Sequence, residues 1–357
     1  MYSESDLQAA VDAGILPPEA AAAFRSHIAS VRAAPGADEE SFRLITGFND
    51  IFVSIAAVIL LLAVGWIGQS IHSALMGAFV AATAWMLAEY FTRRRRMALP
   101  SIVLVLAFSG GVAATMVGLL VEHGEAIFGS RPGEAVMAGV VSAMALVTAG
   151  ATWLHWKRFM VPITVAAGTA ALAATAVALV LAITGIPSPD GTLPMVLVLI
   201  AGLGVFTLAM WWDRSDRVRQ TRRSDVAFWL HLLAAPMIVH PIFHLLGVTR
   251  GDDIGSAAAV AVIGIYVAFG LIALAIDRRA LLVSALAYVL FALTTLFRTF
   301  GAVELNVALT AFVIGSALLL LSAFWQNARA AVVGVLPENL AGQLPATGTP
   351  VSPQPAS

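Results

Sequence analysis

Three of the chain's seven histidines, His231, His240 and His244, fall in one apolar stretch, DVAFWLHLLAAPMIVHPIFHLLG. An imidazole can accept or pass a proton near neutral pH, bind a metal, or ligate haem. The same stretch holds Pro236 and Pro241, the prolines that lie well inside an apolar run; Pro100, Pro162 and Pro194 fall in first turns. Inside a helix, proline leaves the carbonyl four residues earlier without its bond, here those of Leu232 and Met237. In lipid such a carbonyl needs another partner, and kinked helices with freed carbonyls line ion and substrate sites in transporters.

Helical geometry orders these residues. His240 and His244 are one turn apart and share a face. His231 lies nine residues before His240, so it points to the opposite side. Three uses are open: hydrogen bonding to a neighbouring helix, a polar pathway or small-ligand site, and a metal or haem site. Bonding between helices is the commonest role for a transmembrane histidine. His240 and His244 form an H-x3-H pair that could take a metal if another segment added a ligand. No second segment offers an obvious one. His231, Pro236, His240, Pro241 and His244 are therefore the candidate polar site, with no metal, cofactor or catalytic residue assigned.

Other chemistry is sparse. The chain has no cysteine, which excludes disulfides, thiol nucleophiles and thiolate metal sites. It contains no phosphate-binding loop, nucleophile elbow, zinc-protease helix or dinucleotide fingerprint. Asp50, Glu89, Asp225 and Asp277 fall at the inner ends of the apolar runs, and Glu122, Glu125 and Glu304 near outer ends. A proton-coupled pump places a carboxylate at mid-membrane, and none of these is central. The net charge of −1 gives no field that would attract nucleic acid.

The elements that position the histidines follow from composition. Of 357 residues, 60% are apolar and 11% charged, and mean hydropathy is +0.90. Soluble domains carry about 25% charged residues, so a water-covered globule is excluded. Apolar runs occupy 49–68, 71–91, 99–121, 133–155, 160–184, 193–212, 226–247, 255–276, 280–299 and 302–326. Each approaches the roughly 20 residues that cross a bilayer as a helix. The fold class is all-α: a polytopic transmembrane bundle of about ten spans. With the amino terminus inside, 17 of the 20 basic residues lie on the cytoplasmic side, and Arg131, Arg250 and Arg298 lie outside. No basic stretch precedes an apolar core near the start, so the first run is expected to serve as the insertion signal. The inner loops, Arg93–Arg96 and 214–223, are expected to attract anionic lipid headgroups.

Residues 1–48 form a polar segment read as a short cytoplasmic helical hairpin, broken at Gly14–Pro17, with a linker around Pro35-Gly36. It is a candidate surface for a protein partner. Residues 328–357 lose periodicity and carry five prolines, so a disordered cytoplasmic tail is expected after the bundle of 49–327. Within it, residues 344–348 spell LPATG, a sortase-type pattern read as a chance match because no apolar span follows.

The segment from Asp6-Leu7 through Ala13-Gly14-Ile15-Leu16-Pro17-Pro18-Glu19-Ala20, the apolar bundle and Trp229–Pro241 together resemble a family of uncharacterised bacterial membrane proteins. That resemblance implies a bacterial inner-membrane protein and transfers no functional residue. Two functions fit. One is a transporter or channel-like protein with a polar site on the seventh span. The other is a non-transporting scaffold or sensor acting through residues 1–48.

Overall fold

A computed structural model describes residues 11–24, 48–185, 191–217, 219, 221–247, 256–279, 281–282, 286, 289–290, 292–294 and 306–345. All regular secondary structure among them is helical. The chain divides into two compact units, Met1–Phe42 with Thr347–Ser357, and Arg43–Ala346.

In the first unit, helical backbone ends at Asp12 and resumes at residues 18–24. Gly14 takes φ +66°, a left-handed value open to a residue without Cβ. The Pro17 carbonyl accepts the Ala21 N–H at 3.1 Å and starts the second segment. The remainder of the expected hairpin and its linker lie outside the described residues.

The second unit holds α1 (Phe48–Ile71), α2 (Ser73–Ala88) with a π-helical extension (Glu89–Arg94), α3 (Ala98–Phe128), α4 (Glu134–Phe159) and α5 (Pro162–Thr184). It continues with α6 (Thr192–Arg214), α7 (Arg222–Leu245), α8 (Ser256–Ile276), α9 (Asn306–Ala323), α10 (Trp325–Val335) and α11 (Glu338–Ala341). Among the described residues, α1 to α7 are each long and apolar enough to cross a membrane, with α2 counted through its extension. Helices α9 and α10 would add an eighth span if read as one span bent by 77°. The chain is an all-helical, multi-pass membrane protein. The expected ninth run is described at 281–282, 286, 289–290 and 292–294, all with helical backbone.

Local chemistry sets the turns. Pro162 opens α5, where its missing N–H has no partner to lose. Gly185 closes it in the left-handed region. Helices α2 and α3 meet through small side chains, because apolar attraction between helices vanishes in lipid and close packing replaces it. A Cβ on Gly111 would stand 2.7 Å from the Ala81 nitrogen.

Helix α7 is the most enclosed of the seven. Over its most apolar stretch 56% of residues are buried, against 11–28% in α1 to α6. Leu230, Ala234, Ile238, Val239 and Phe243 pack with Val205 and Ala209 of α6, Val262 and Phe269 of α8, and Val289 and Ala292.

The tail differs from expectation. Disorder was expected from residue 328, yet α10 runs to Val335, α11 follows, and Leu344 is buried. The reason is a helical stripe. Trp325, Ala328, Val332 and Leu336 recur at three- and four-residue intervals and pack on one apolar cluster. Pro337 breaks α10 and stands as the N-cap of α11, so it ends one helix and starts another. Residues 346–357 lie outside the described set.

Candidate functional site

The five residues singled out on α7 separate as helical geometry requires. The His240 and His244 rings lie 6.4 Å apart, while His231 points elsewhere. Pro236 and His240 are exposed, Pro241 is buried and His244 is half-buried. Both prolines are accommodated within a continuous helix. The carbonyl that Pro241 frees on Met237 faces Gly202 of α6; a Cβ there would fall 2.8 Å from that oxygen. The bare Cα of Gly202 leaves room for this carbonyl, a setting that permits a weak C–H···O contact.

His231 is the member with partners. It is fully buried, and its Nε2 lies 2.9 Å from Asp213 Oδ2 on α6. A carboxylate only accepts, so Nε2 carries the proton and donates it. Arg278, just beyond α8, reaches the same carboxylate with two nitrogens: Nη2 to Oδ1 at 2.5 Å and Nε to Oδ2 at 3.3 Å. Arg278 Nη2 also donates to the carbonyl and hydroxyl of Ser224 at the start of α7. Asp213 is 3% exposed and Arg278 2%. Phe206 closes the other side edge-on at 5.3 Å. Among the described residues His231 Nδ1 is buried and has no hydrogen-bond partner.

Local structure fixes this triad. Asp213 sits in the last turn of α6, and Asp216 just past it accepts the Thr221 N–H at 2.8 Å and hydroxyl at 2.6 Å. Thr221 in turn caps α7 through the Arg223 N–H at 3.2 Å. The α6–α7 turn is thereby held, and His231 comes down beside Asp213.

A second charged group adjoins the first. Asp277, the neighbour of Arg278, accepts from Arg219 Nη1 at 2.8 Å and from Trp325 Nε1 at 2.7 Å. Arg329 stands 3.8 Å from it, and Arg279 lies over the Trp325 ring at 4.7 Å. Arg219 and Asp277 both take left-handed backbone, φ +56° and +57°. Non-glycine residues hold that conformation only where the surroundings impose it.

A second buried histidine lies on another helix. His155 on α4 is 1% exposed and sits among Trp85, Phe108 and Phe159, with ring centroids 4.5–5.7 Å away. Its Nδ1 is 3.5 Å from the Thr164 hydroxyl. Among the described residues no group of three or more His, Asp or Glu side chains is placed to hold a metal ion.

The sequence reading found His231 and missed what it binds. Asp213 was passed over, and Arg278 was counted only as an inner-face charge. A signal was present: Asp213-Arg214 and Asp277-Arg278 repeat an Asp-Arg pair at the ends of two apolar runs. The arrangement keeps a proton on His231 Nε2, with Asp213 orienting the ring and Arg278 bonded to the same carboxylate, and leaves Nδ1 without a partner among the described residues. No hydroxyl nucleophile stands in hydrogen-bond contact with His231 among the described residues. Comparison of the chain with protein-family models, with curated proteins and with solved structures returns no match.

Proposed function

We propose that this chain is a bacterial inner-membrane protein of about ten spans, with both termini cytoplasmic, that passes a small solute or a proton along a polar route on α7. The observation that carries the reading is the Asp213–His231–Arg278 triad, buried in the last turn of one span and the middle of another. Ionisable groups are costly in this setting and mark ion and proton paths by default. Pro236, His240 and His244 add polar or freed backbone groups on the opposite face of the same helix. The orientation rests on the 17-to-3 division of basic residues. It sets the triad toward the cytoplasm and His240 and His244 toward the exterior. Exposed Arg93 to Arg96 would meet anionic headgroups at the cytoplasmic face. On the same reading the chain would belong to the bacterial membrane family that it resembles.

The native chain has no cysteine, so single thiols test the route directly. Pro236→Cys, His240→Cys and His244→Cys are expected to react with a membrane-impermeant maleimide. Unreactive thiols at all three positions would overturn the proposal.

A second reading has its own support. The triad is enclosed on every described side, and the neighbouring arginines hold main-chain carbonyls of the C-terminal segment. That suits a non-transporting scaffold or sensor in which the charges fasten helices. It predicts a dry α7 and loss of phenotype on deletion of residues 1–48.

A further inference from the structure

The segment after α10 is tied to the arginine-rich end of the bundle by its backbone. Arg217 donates to the Leu344 carbonyl with Nε at 3.2 Å and Nη2 at 3.0 Å. Arg329 Nη2 donates to the Pro345 carbonyl at 2.6 Å. The Leu344 side chain is 8% exposed and packs in the apolar cluster with Ala235, one turn beyond His231 on α7. The 77° bend between α9 and α10 brings this segment across the bundle end.

These ties meet the triad at one peptide bond. Asp277 is bound by Trp325 of α10 and approached by Arg329, which in turn holds the Pro345 carbonyl; Arg278 belongs to the triad, bound to Asp213. The left-handed backbone at Asp277 turns the two side chains into different networks. Such a conformation is retained by its contacts and relaxes when they go. Loss of residues 337–345 removes the carbonyl acceptors of Arg217 and Arg329, leaves two arginines to be rehydrated, and takes Leu344 out of the cluster that it shares with Ala235.

We propose that residues 337–345 are a releasable plug: with Leu344 and Pro345 seated between Arg217 and Arg329, the strap closes access from the arginine-rich end to the Asp213–His231 pair. The proposal rests on the pathway reading above, since closing a site regulates it only where something passes. It requires no covalent step. Any partner that captured the strap would open the site.

The test uses the purified full-length chain carrying Ala235→Cys as its one thiol. Ala235 is fully buried, and cysteine is a small change there. The thiol is expected to resist a water-soluble maleimide in the full chain. Removal of residues 337–357 is expected to raise its rate about tenfold or more, as local opening replaces a closed state. Leu344→Ser in the full chain is expected to raise it by less. Adding a synthetic peptide of residues 337–346 to the truncated chain is expected to restore protection. An unchanged rate on truncation overturns the plug. So does a raised rate that the peptide fails to reverse, because that reports unfolding. The pathway reading is scored separately, by the reactivity of thiols at 236, 240 and 244 in the full-length chain. Reversible protection at 235 with three silent thiols there would sink the pathway alone.

Discussion

Asp213 takes hydrogen bonds from two side chains while 3% exposed, so its loss strands more than itself. Asp213→Ala leaves Arg278 buried without its carboxylate. The expected cost is about 3–5 kcal/mol, the range for breaking a buried pair from one side, read as a fall in thermal stability in detergent. The double variant Asp213→Leu with Arg278→Met removes both charges and is expected to recover most of that loss. Additive losses in the cycle would show that the two residues are not coupled. His231→Gln separates stability from chemistry. A glutamine amide can still donate to Asp213, so folding is expected to change by about 1 kcal/mol or less. Solute or proton passage is expected to be lost, because the second ring nitrogen is gone. At this scale the sequence disclosed His231 and hid its partners. Arg278 lies 65 residues from Asp213, and periodicity along one helix carries no information about contacts between helices.

At the scale of the element, α6 and α7 depend on one missing side chain. Gly202→Val would press a branched side chain against the Met237 carbonyl, which a Cβ at Gly202 already approaches to 2.8 Å. A loss of about 1–3 kcal/mol is expected from overpacking, with α6 and α7 pushed apart. Pro241→Ala acts oppositely. It restores an N–H opposite the Met237 carbonyl, and that new amide is expected to exchange slowly with deuterium if the helix closes there. Fast exchange would mean that the bend persists without proline. The first seven spans were legible because long apolar runs with basic turns leave little choice of element. The tail was misread because proline was taken as a sign of disorder along the whole segment. The apolar stripe of α10 ends one residue before Pro337, so the same proline serves as helix punctuation.

At the scale of the whole molecule, the proposed even number of spans would place both termini on one side. Gly14 and Gly342 are both exposed, and each as a single cysteine is expected to react in inverted membrane vesicles and not in right-side-out ones. Labelling on opposite sides would refute the even count, and labelling of both from outside would reverse the orientation. Charge placement is the ground for that expectation, since the cost of moving arginine across a bilayer leaves its record in the loops. The burial of individual charges was not legible. The sorting of basic residues treats Arg219, Arg278 and Arg329 alike with solvated arginines, yet Arg278 and Arg329 are 2% and 1% exposed.

The reach from Asp213 to Arg278 also has a consequence for biosynthesis. Membrane proteins are inserted as they are made, amino end first. Asp213 therefore enters the bilayer boundary before Arg278, 65 residues downstream, has been synthesised. During that interval the sixth segment holds a carboxylate without its arginine, and only completion of the eighth segment supplies it. The charge pair thus registers completion of the eighth segment as well as being a contact. A nascent chain halted before residue 278 is expected to be retained by the insertion machinery or degraded, and Asp213→Asn is expected to lengthen its lifetime in a pulse-chase measurement.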